Sequence, residues 1–120
     1  MAKRLDEPTK ELTAAVDFTE FLAMMARVKE HRNGARMAYF YQLDDNLAVE
    51  CGAFRSMVPA KLDWEGSLSF AARILLRFAL LKPRTTELKI DFQWGELRFG
   101  DELRIPAKWN SRPDGNWGVK

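Results

Sequence analysis

The stretch that most constrains this chain runs from Gly66 to Gly100, where an apolar segment is followed by an alternating one. The apolar residues of the first segment recur at intervals of three and four, which is typical of a helix buried along one side. They are Phe70, Ile74, Phe78 and Leu81. A serine, either Ser67 or Ser69, would cap this helix, which would run to about Leu81. The sequence therefore predicts a second-half helix of about a dozen residues.

The alternating segment predicts a β-hairpin. Apolar and polar residues alternate from Thr86 to Trp94 and again over residues 96–99, with Gly95 at the corner between them. A last short strand follows over residues 103–109.

The first half of the chain predicts a similar series of elements. Residues 11–16 form a short strand, and Asp17 is the better candidate cap for a helix that ends at Asn33-Gly34. The helix has a buried stripe at Phe18, Phe21, Leu22, Met25 and Val28. Two extended segments then flank a turn at residues 44–46, and a third extended segment, 55–64, contains Pro59, which places it at a sheet edge or a break.

These elements predict an α+β domain in the order strand, helix, three strands, helix, three strands. One curved antiparallel sheet with two helices packed on one face would bury both apolar stripes. We expect a lead-in over residues 1–10, a domain over 11–109 and a turn-rich tail over 110–120. The sequence shows no internal repeat at the period of a solenoid protein.

Composition narrows the classes of protein. The chain has 120 residues, which suits one domain, and its net charge of +2 does not by itself indicate nucleic acid. The charged N-terminal residues lead into no apolar segment, and no apolar run approaches the ~18 residues of a membrane span. We therefore expect a cytoplasmic protein with no membrane partner.

The element order resembles one domain of the DNA sliding clamps, the ring-shaped processivity factors of replicative polymerases. Such domains often have a glycine, a short strand, a helix start of small residues and a leucine-rich helix, which GSLSFAARIL at residues 66–75 resembles. Paired strands of the types L-x-I and L-x-F follow, matched by Leu88, Ile90, Leu97 and Phe99. The resemblance covers residues 11–109 and implies a DNA-clamp-like domain. Family rings contain six such domains, so a ring of this chain would need six copies.

Basic residues are the candidate nucleic-acid contacts. Residues 66–86 contain four bases and no acid, and a fifth base lies on the first helix. The five candidates are Arg27, Arg73, Arg77, Lys82 and Arg84. If the helices line a concave surface, as the resemblance implies, these side chains would contact phosphates without reading sequence. The alternative is a solvated face on which arginine stems cover apolar surface.

Two leucines, Leu76 and Leu80, lie beside these arginines, where a surface helix normally carries polar residues. They could pack against the first helix. They could instead form an interface with a second copy or another protein, with the arginines as its rim.

The sequence contains no catalytic motif. His31 is the only histidine and Cys51 the only cysteine, so neither a zinc site nor a Cys–His pair is expected, and no internal disulfide can form. Cys51 is either a small buried strand residue or a reactive thiol. No phosphate-binding glycine loop or nucleophile elbow occurs. We expect no enzyme, no metal and no cofactor.

The functional expectation is a non-catalytic, clamp-like binding or assembly module, with duplex DNA as one partner of its basic helix face. The alternative is a protein–protein adaptor of the same fold that does not bind DNA. Among the four tryptophans, Trp94 and Trp117 could be exposed and stack on a base or a partner, whereas Trp64 and Trp109 are expected to pack.

Overall fold

A computed structural model describes residues 11–32 and 34–110 of the chain. The predicted lead-in 1–10, Asn33, and the predicted tail beyond residue 110, with Trp117, lie outside the described residues. The described elements are β1 (Leu12–Asp17), α1 (Phe18–Glu30), β2 (Met37–Leu43), β3 (Asn46–Cys51), β4 (Phe54–Leu62), β5 (Ser67–Ala71), a 3₁₀ turn (Ala72–Ile74), α2 (Leu75–Phe78), β6 (Glu87–Gln93), β7 (Glu96–Phe99), β8 (Leu103–Pro106) and β9 (Lys108–Asn110).

Within these ranges the protein is an α+β domain, as predicted. Nine strands form one antiparallel sheet in the order β8-β7-β6-β1-β4-β3-β2-β5-β9. The two helices contact each other, with Leu22 and Met25 of α1 near Leu75 and Phe78 of α2. Neither helix of the described part of the chain is long and apolar enough to cross a membrane.

The two ends of the sheet are tied together covalently. Strands β8 and β9 stand at opposite ends of the strand order, yet only Ala107 separates them along the chain. The sheet must therefore curl until its ends meet. The backbone N–H of Ala107 donates to the Gly95 carbonyl at 3.0 Å and holds the crossing in place. The single last strand predicted from the sequence is thus divided between the two edges.

Strand β4 crosses in the same way at Pro59. Up to Pro59, which pairs with Asn46, it lies against β3, and from Ala60, which pairs with Val16, it lies against β1. Proline has no N–H to donate, so it is tolerated where a strand changes partners. The break predicted at this position is confirmed.

The described chain consists of two halves with a similar order. The first has a strand, a helix and three strands, and the second has a strand, a helix and four strands, of which β8 and β9 together correspond to β4. Strand β1 of the first half pairs with β6 of the second, and β5 of the second pairs reciprocally with β2 of the first. The Phe18 N–H donates to Thr86 O at 2.8 Å, and at the equivalent point the Ala72 N–H donates to Arg36 O at 2.8 Å. Reciprocal pairing of this kind relates the halves by an approximate two-fold axis.

The sequence itself contains a trace of this repeat. Val58-Pro59-Ala60-Lys61 at the β4 crossing is matched by Ile105-Pro106-Ala107-Lys108 at the β8–β9 crossing. The Ala60 N–H donates to Asp45 O at 3.1 Å, the counterpart of the Ala107 bond. This relation between two halves is not a repeat at the period of a solenoid protein, which the sequence does not show.

The predicted second helix was wrong at both ends. Residues 67–71 are strand β5, so neither Ser67 nor Ser69 caps a helix, and α2 ends at Phe78 rather than Leu81. The segment SLSFA also alternates, and β5 is held between β2 and β9. Pairing with strands distant in sequence therefore overrides the local helical spacing.

Most of the other predicted elements are confirmed. The Asp17 side chain accepts a 2.8 Å hydrogen bond from the backbone N–H of Glu20 and caps α1 as expected. The helix ends at Glu30, before the predicted stop, and Gly34 adopts φ +81° in the turn that follows. The hairpins β2–β3 and β6–β7 both form.

An aromatic cluster joins the two halves at the centre of the core. Phe21 of α1 lies 5.7 Å from Phe99, 5.8 Å from Phe78 and 6.2 Å from Phe40, measured between ring centroids. Phe40 in turn lies 5.0 Å from Phe70. Because these rings come from both halves, each helix is anchored against the same core.

Candidate functional site: the exposed surface of the second helix

The outward side of α2 and the loop after it carries the predicted site residues. Leu75 and Phe78 are buried in the core, so the residues between and around them point outward. We call this outward side the α2 surface. It consists of Arg73, Leu76, Arg77, Leu80 and Lys82. Spacings of three and four residues place the first four on one side of the helical segment.

The two leucines are unusually exposed. Leu76 retains 56% and Leu80 80% of its accessible surface. The contact between α2 and α1 is made instead by Leu75, Phe78 and Ala79. Packing against the first helix, one of the two sequence interpretations, is therefore not the role of Leu76 and Leu80. Their exposure is what an interface would require.

The five predicted basic residues do not form one strip. Arg27 donates to the Ser56 hydroxyl at 3.2 Å and so reaches across to β4. Arg84 pairs with Glu102 at 3.6 Å. Arg73, Arg77 and Lys82 are exposed and have no ion pair or hydrogen bond with another described residue. Within the described part of the chain, three unpaired positive charges thus flank the two leucines.

The outward side of α1 has a different character. We call it the α1 surface, and its members are exposed residues that are small or charged. They are Thr19, Glu20, Ala23, Ala26, Arg27 and Glu30. Glu20 and Glu30 give it two negative charges against the positive charge of Arg27, and the half-buried Lys29 lies in the groove between this surface and α2. The two helices lie side by side, so a surface of mixed charge adjoins a basic one with two exposed leucines.

Sheet edges are a second exposed feature. Residues Phe54–Pro59 of β4 pair only with β3, and β8 pairs only with β7, among the described strands. The Arg27–Ser56 bond ties α1 to the β4 edge. Edges with one partner can accept another strand.

A polar triad on β2–β4 was not predicted from the sequence. The Tyr41 hydroxyl donates to Glu50 Oε1 at 2.8 Å and accepts from Arg55 Nη1 at 3.0 Å. Burial raises the pKa of Tyr41, so the phenol stays protonated at neutral pH. Glu50 and Arg55 face each other across the β3–β4 turn. This pairing of opposite charges was the one feature from which the triad could have been predicted. The arrangement satisfies polar atoms at the edge of the core and offers no activated nucleophile.

Cys51 is fully buried. Desolvation by burial raises the pKa of its thiol, and the nearby Arg32 charge lowers it by less. The environment therefore favours the buried strand residue over the reactive thiol.

Two open clefts bring other polar side chains together. One of about 460 Å³ lies at the β1–β4–β6 junction, where Asp17, Asp45 and Glu87 approach it with Lys61. The other, of about 550 Å³, lies beside His31, whose ring stacks on Phe54 at 4.2 Å. No three His, Cys, Asp or Glu side chains in residues 11–32 and 34–110 are grouped as a metal site requires.

Each of the three described tryptophans is packed or exposed as the sequence predicted. Trp64 is buried and its indole N–H donates to Thr13 O at 2.8 Å, and Trp109 packs against the core. Trp94 is 64% exposed in the β6–β7 turn, where it adopts φ +57°. The equivalent turn of the first half has Asp44 at this position, also at φ +57°.

Comparison with known proteins adds no further assignment. No protein-family model matches the chain, and no curated protein or solved structure matches it either.

Proposed function

We propose that this protein is a non-catalytic, clamp-like assembly module and that the α2 surface docks another protein. The observation that carries the proposal is the exposure of Leu76 and Leu80, at 56% and 80%, beside arginines that pair with no described residue. Contiguous exposed apolar groups ringed by polar ones mark interaction sites. Leucines that pack against a partner while arginines form the rim have the anatomy of a protein interface.

The clamp-like part of the proposal is supported by the element order. Each half runs from a strand through a helix to a series of strands, which is close to the order on which the resemblance rests, although that order lacked β5 and had one strand in place of β8 and β9. The edges of β4 and β8, which have a single partner among the described strands, also favour assembly, since each could extend its sheet with a strand from another chain.

A weak association with duplex DNA is the second candidate function. Arg73, Arg77 and Lys82 are exposed and could contact phosphates. Three such contacts would give a slope of about −2.7 for log K against log salt concentration. Two features weigh against this function: leucines gain nothing from phosphates, and Glu20 and Glu30 place negative charge on the neighbouring α1 surface.

Light scattering, with and without duplex DNA, tests both candidates. The wild-type chain is compared with Leu76→Glu/Leu80→Glu, and Trp94→Asn serves as a control that removes an equally exposed apolar residue elsewhere. Docking between copies of this chain predicts a mass above the 13.9 kDa monomer that only the leucine variant reduces. A wild-type monomer that behaves like the leucine variant would exclude docking between copies. Salt-sensitive binding of DNA, lost in Arg73→Ala/Arg77→Ala, would establish the second candidate instead.

A further inference from the structure

The α1 and α2 surfaces differ in side-chain size at equivalent positions. Because Phe18 and Ala72 begin the two helical segments at matching hydrogen bonds, Thr19 is equivalent to Arg73, Ala23 to Arg77 and Ala26 to Leu80. In each pair the residue on α1 has a small side chain and its equivalent on α2 has a long one. Both members of every pair are exposed.

The same surfaces are complementary in charge. The α2 surface carries Arg73 and Arg77, and the α1 surface carries Glu20 and Glu30 together with Arg27, which bonds to Ser56. Both arginines lack an ion pair with any described residue, and so do both glutamates. Charges of opposite sign on these adjoining surfaces do not pair with each other within the described part of the chain.

We propose that the partner of the α2 surface is a second copy of this chain, bound about a two-fold axis so that α2 of each copy lies on α1 of the other. This inference rests on the proposed function and names its partner. In such a pair Leu76 and Leu80 lie over Ala23 and Ala26, where the small side chains leave room for them. Both contacts form together because the two surfaces lie side by side, as an isologous interface requires.

The two-fold arrangement also accounts for the difference between the helices. Two surfaces with protruding residues would hold the chains apart, and two surfaces of small residues would leave voids. One of each kind lets side chains of one helix enter the spaces of the other. The opposite charges fix which helix meets which.

Charge reversal tests the arrangement. One variant carries Arg73→Glu/Arg77→Glu, and the other carries Glu20→Lys/Glu30→Lys. We expect the wild type to sediment at twice 13.9 kDa, each variant alone at 13.9 kDa, and an equimolar mixture at twice 13.9 kDa again. The mixture recovers because acidic α2 then faces basic α1, while the other contact keeps its native charges. Leu76→Ser/Leu80→Ser should weaken association of the otherwise native chain by at least about tenfold, the equivalent of ~1.4 kcal/mol.

Since all replaced residues are exposed, circular dichroism should show each variant folded, and Trp94→Asn should sediment like the wild type. A wild type that stays at 13.9 kDa at every attainable concentration overturns the proposal. An oligomer that is lost in the leucine variant but survives Glu20→Lys/Glu30→Lys also overturns it, while leaving protein docking at α2 intact. A monomer whose α2 arginines bind DNA would assign the surface to nucleic acid.

Discussion

Replacing Gly66 with alanine should displace strand β9 from its partner β5. Gly66 is buried, and a Cβ built on it would overlap the Asn110 carbonyl and the Trp109 ring. Both belong to β9, which pairs with β5 immediately after Gly66. The backbone of Gly66 lies outside the left-handed region, so alanine is excluded by lack of space rather than by strain.

The magnitude follows from these contacts. Overpacking a well-packed site costs about 1–3 kcal/mol. Displacing β9 also weakens its short ladder, in which each hydrogen bond contributes about 0.5–1.5 kcal/mol. We therefore expect Gly66→Ala to lose ~2–4 kcal/mol of unfolding free energy, a large part of the 5–15 kcal/mol typical of a domain.

Urea unfolding followed by far-UV circular dichroism measures this loss, with Gly34→Ala as the matched control. Gly34 has φ +81° and no atom within 4 Å of an added Cβ, so alanine there meets only backbone strain, about 1–2 kcal/mol. Gly66→Ala should therefore be clearly the more destabilising, although Gly66 has the more ordinary backbone. Equal losses, or a smaller loss at Gly66, would refute the view that β9 seals the sheet against β5.

Three further predictions concern single side chains. Asp17→Ala should destabilise the fold by about 1 kcal/mol in urea unfolding, because α1 loses its cap, whereas Asp17→Asn should lose only a few tenths. Cys51 should react with a thiol reagent no faster than the protein unfolds, because its thiol is buried with a raised pKa, and rapid labelling of the native chain would contradict its burial. Tyr41 has a pKa raised above 10.0 in the folded state, so the unfolded chain loses this proton first and wild-type stability should fall as the pH rises above 10. Tyr41→Phe should show a smaller fall over the same range, and equal falls would show that Tyr41 does not contribute.

How far the sequence predicts the fold depends on whether the deciding interactions are local. Helix α1 was predicted from its cap and stripe because Asp17 and Glu20 are neighbours along the chain. The β6–β7 hairpin was predicted for the same reason, since a two-residue turn at Trp94-Gly95 fixes its register. In both elements a short segment contains all the information that determines its structure.

Strand β5 could not be predicted in this way. Its spacing satisfies a helical and an alternating pattern at once, and the choice is made by β2, about thirty residues earlier, and by β9. The division between β8 and β9 likewise depends on which edges Ala107 must join. The proline–alanine–lysine repeat at the two crossings is visible in the sequence, however, and by itself indicates which segments of the two halves are equivalent.

The candidate site was predicted in part. Arg73, Leu76, Arg77 and Leu80 do share one exposed surface, as their spacing indicated. Arg27 and Arg84 do not belong to the α2 surface, because Arg27 bonds to Ser56 and Arg84 pairs with Glu102. Both partners are distant in sequence, so spacing could not reveal that these charges are already engaged.

Comparison of the two halves indicates where function is most expected. The approximate two-fold axis gives each position a counterpart in a similar environment, so the counterpart shows what the fold alone requires. At buried positions the requirement is met on both sides, for example by Phe21 and Leu75 or by Met24 and Phe78. On the exposed sides the fold requires only side chains that tolerate water, and Thr19 and Ala23 meet this requirement.

Their counterparts Arg73 and Arg77 are much larger than exposure to water requires, and Leu80, at 80% exposure, makes little contact with the core. Side chains that the fold neither needs nor shelters are the ones an outside partner would use, which is why we propose the α2 surface, rather than either cleft, as the binding site.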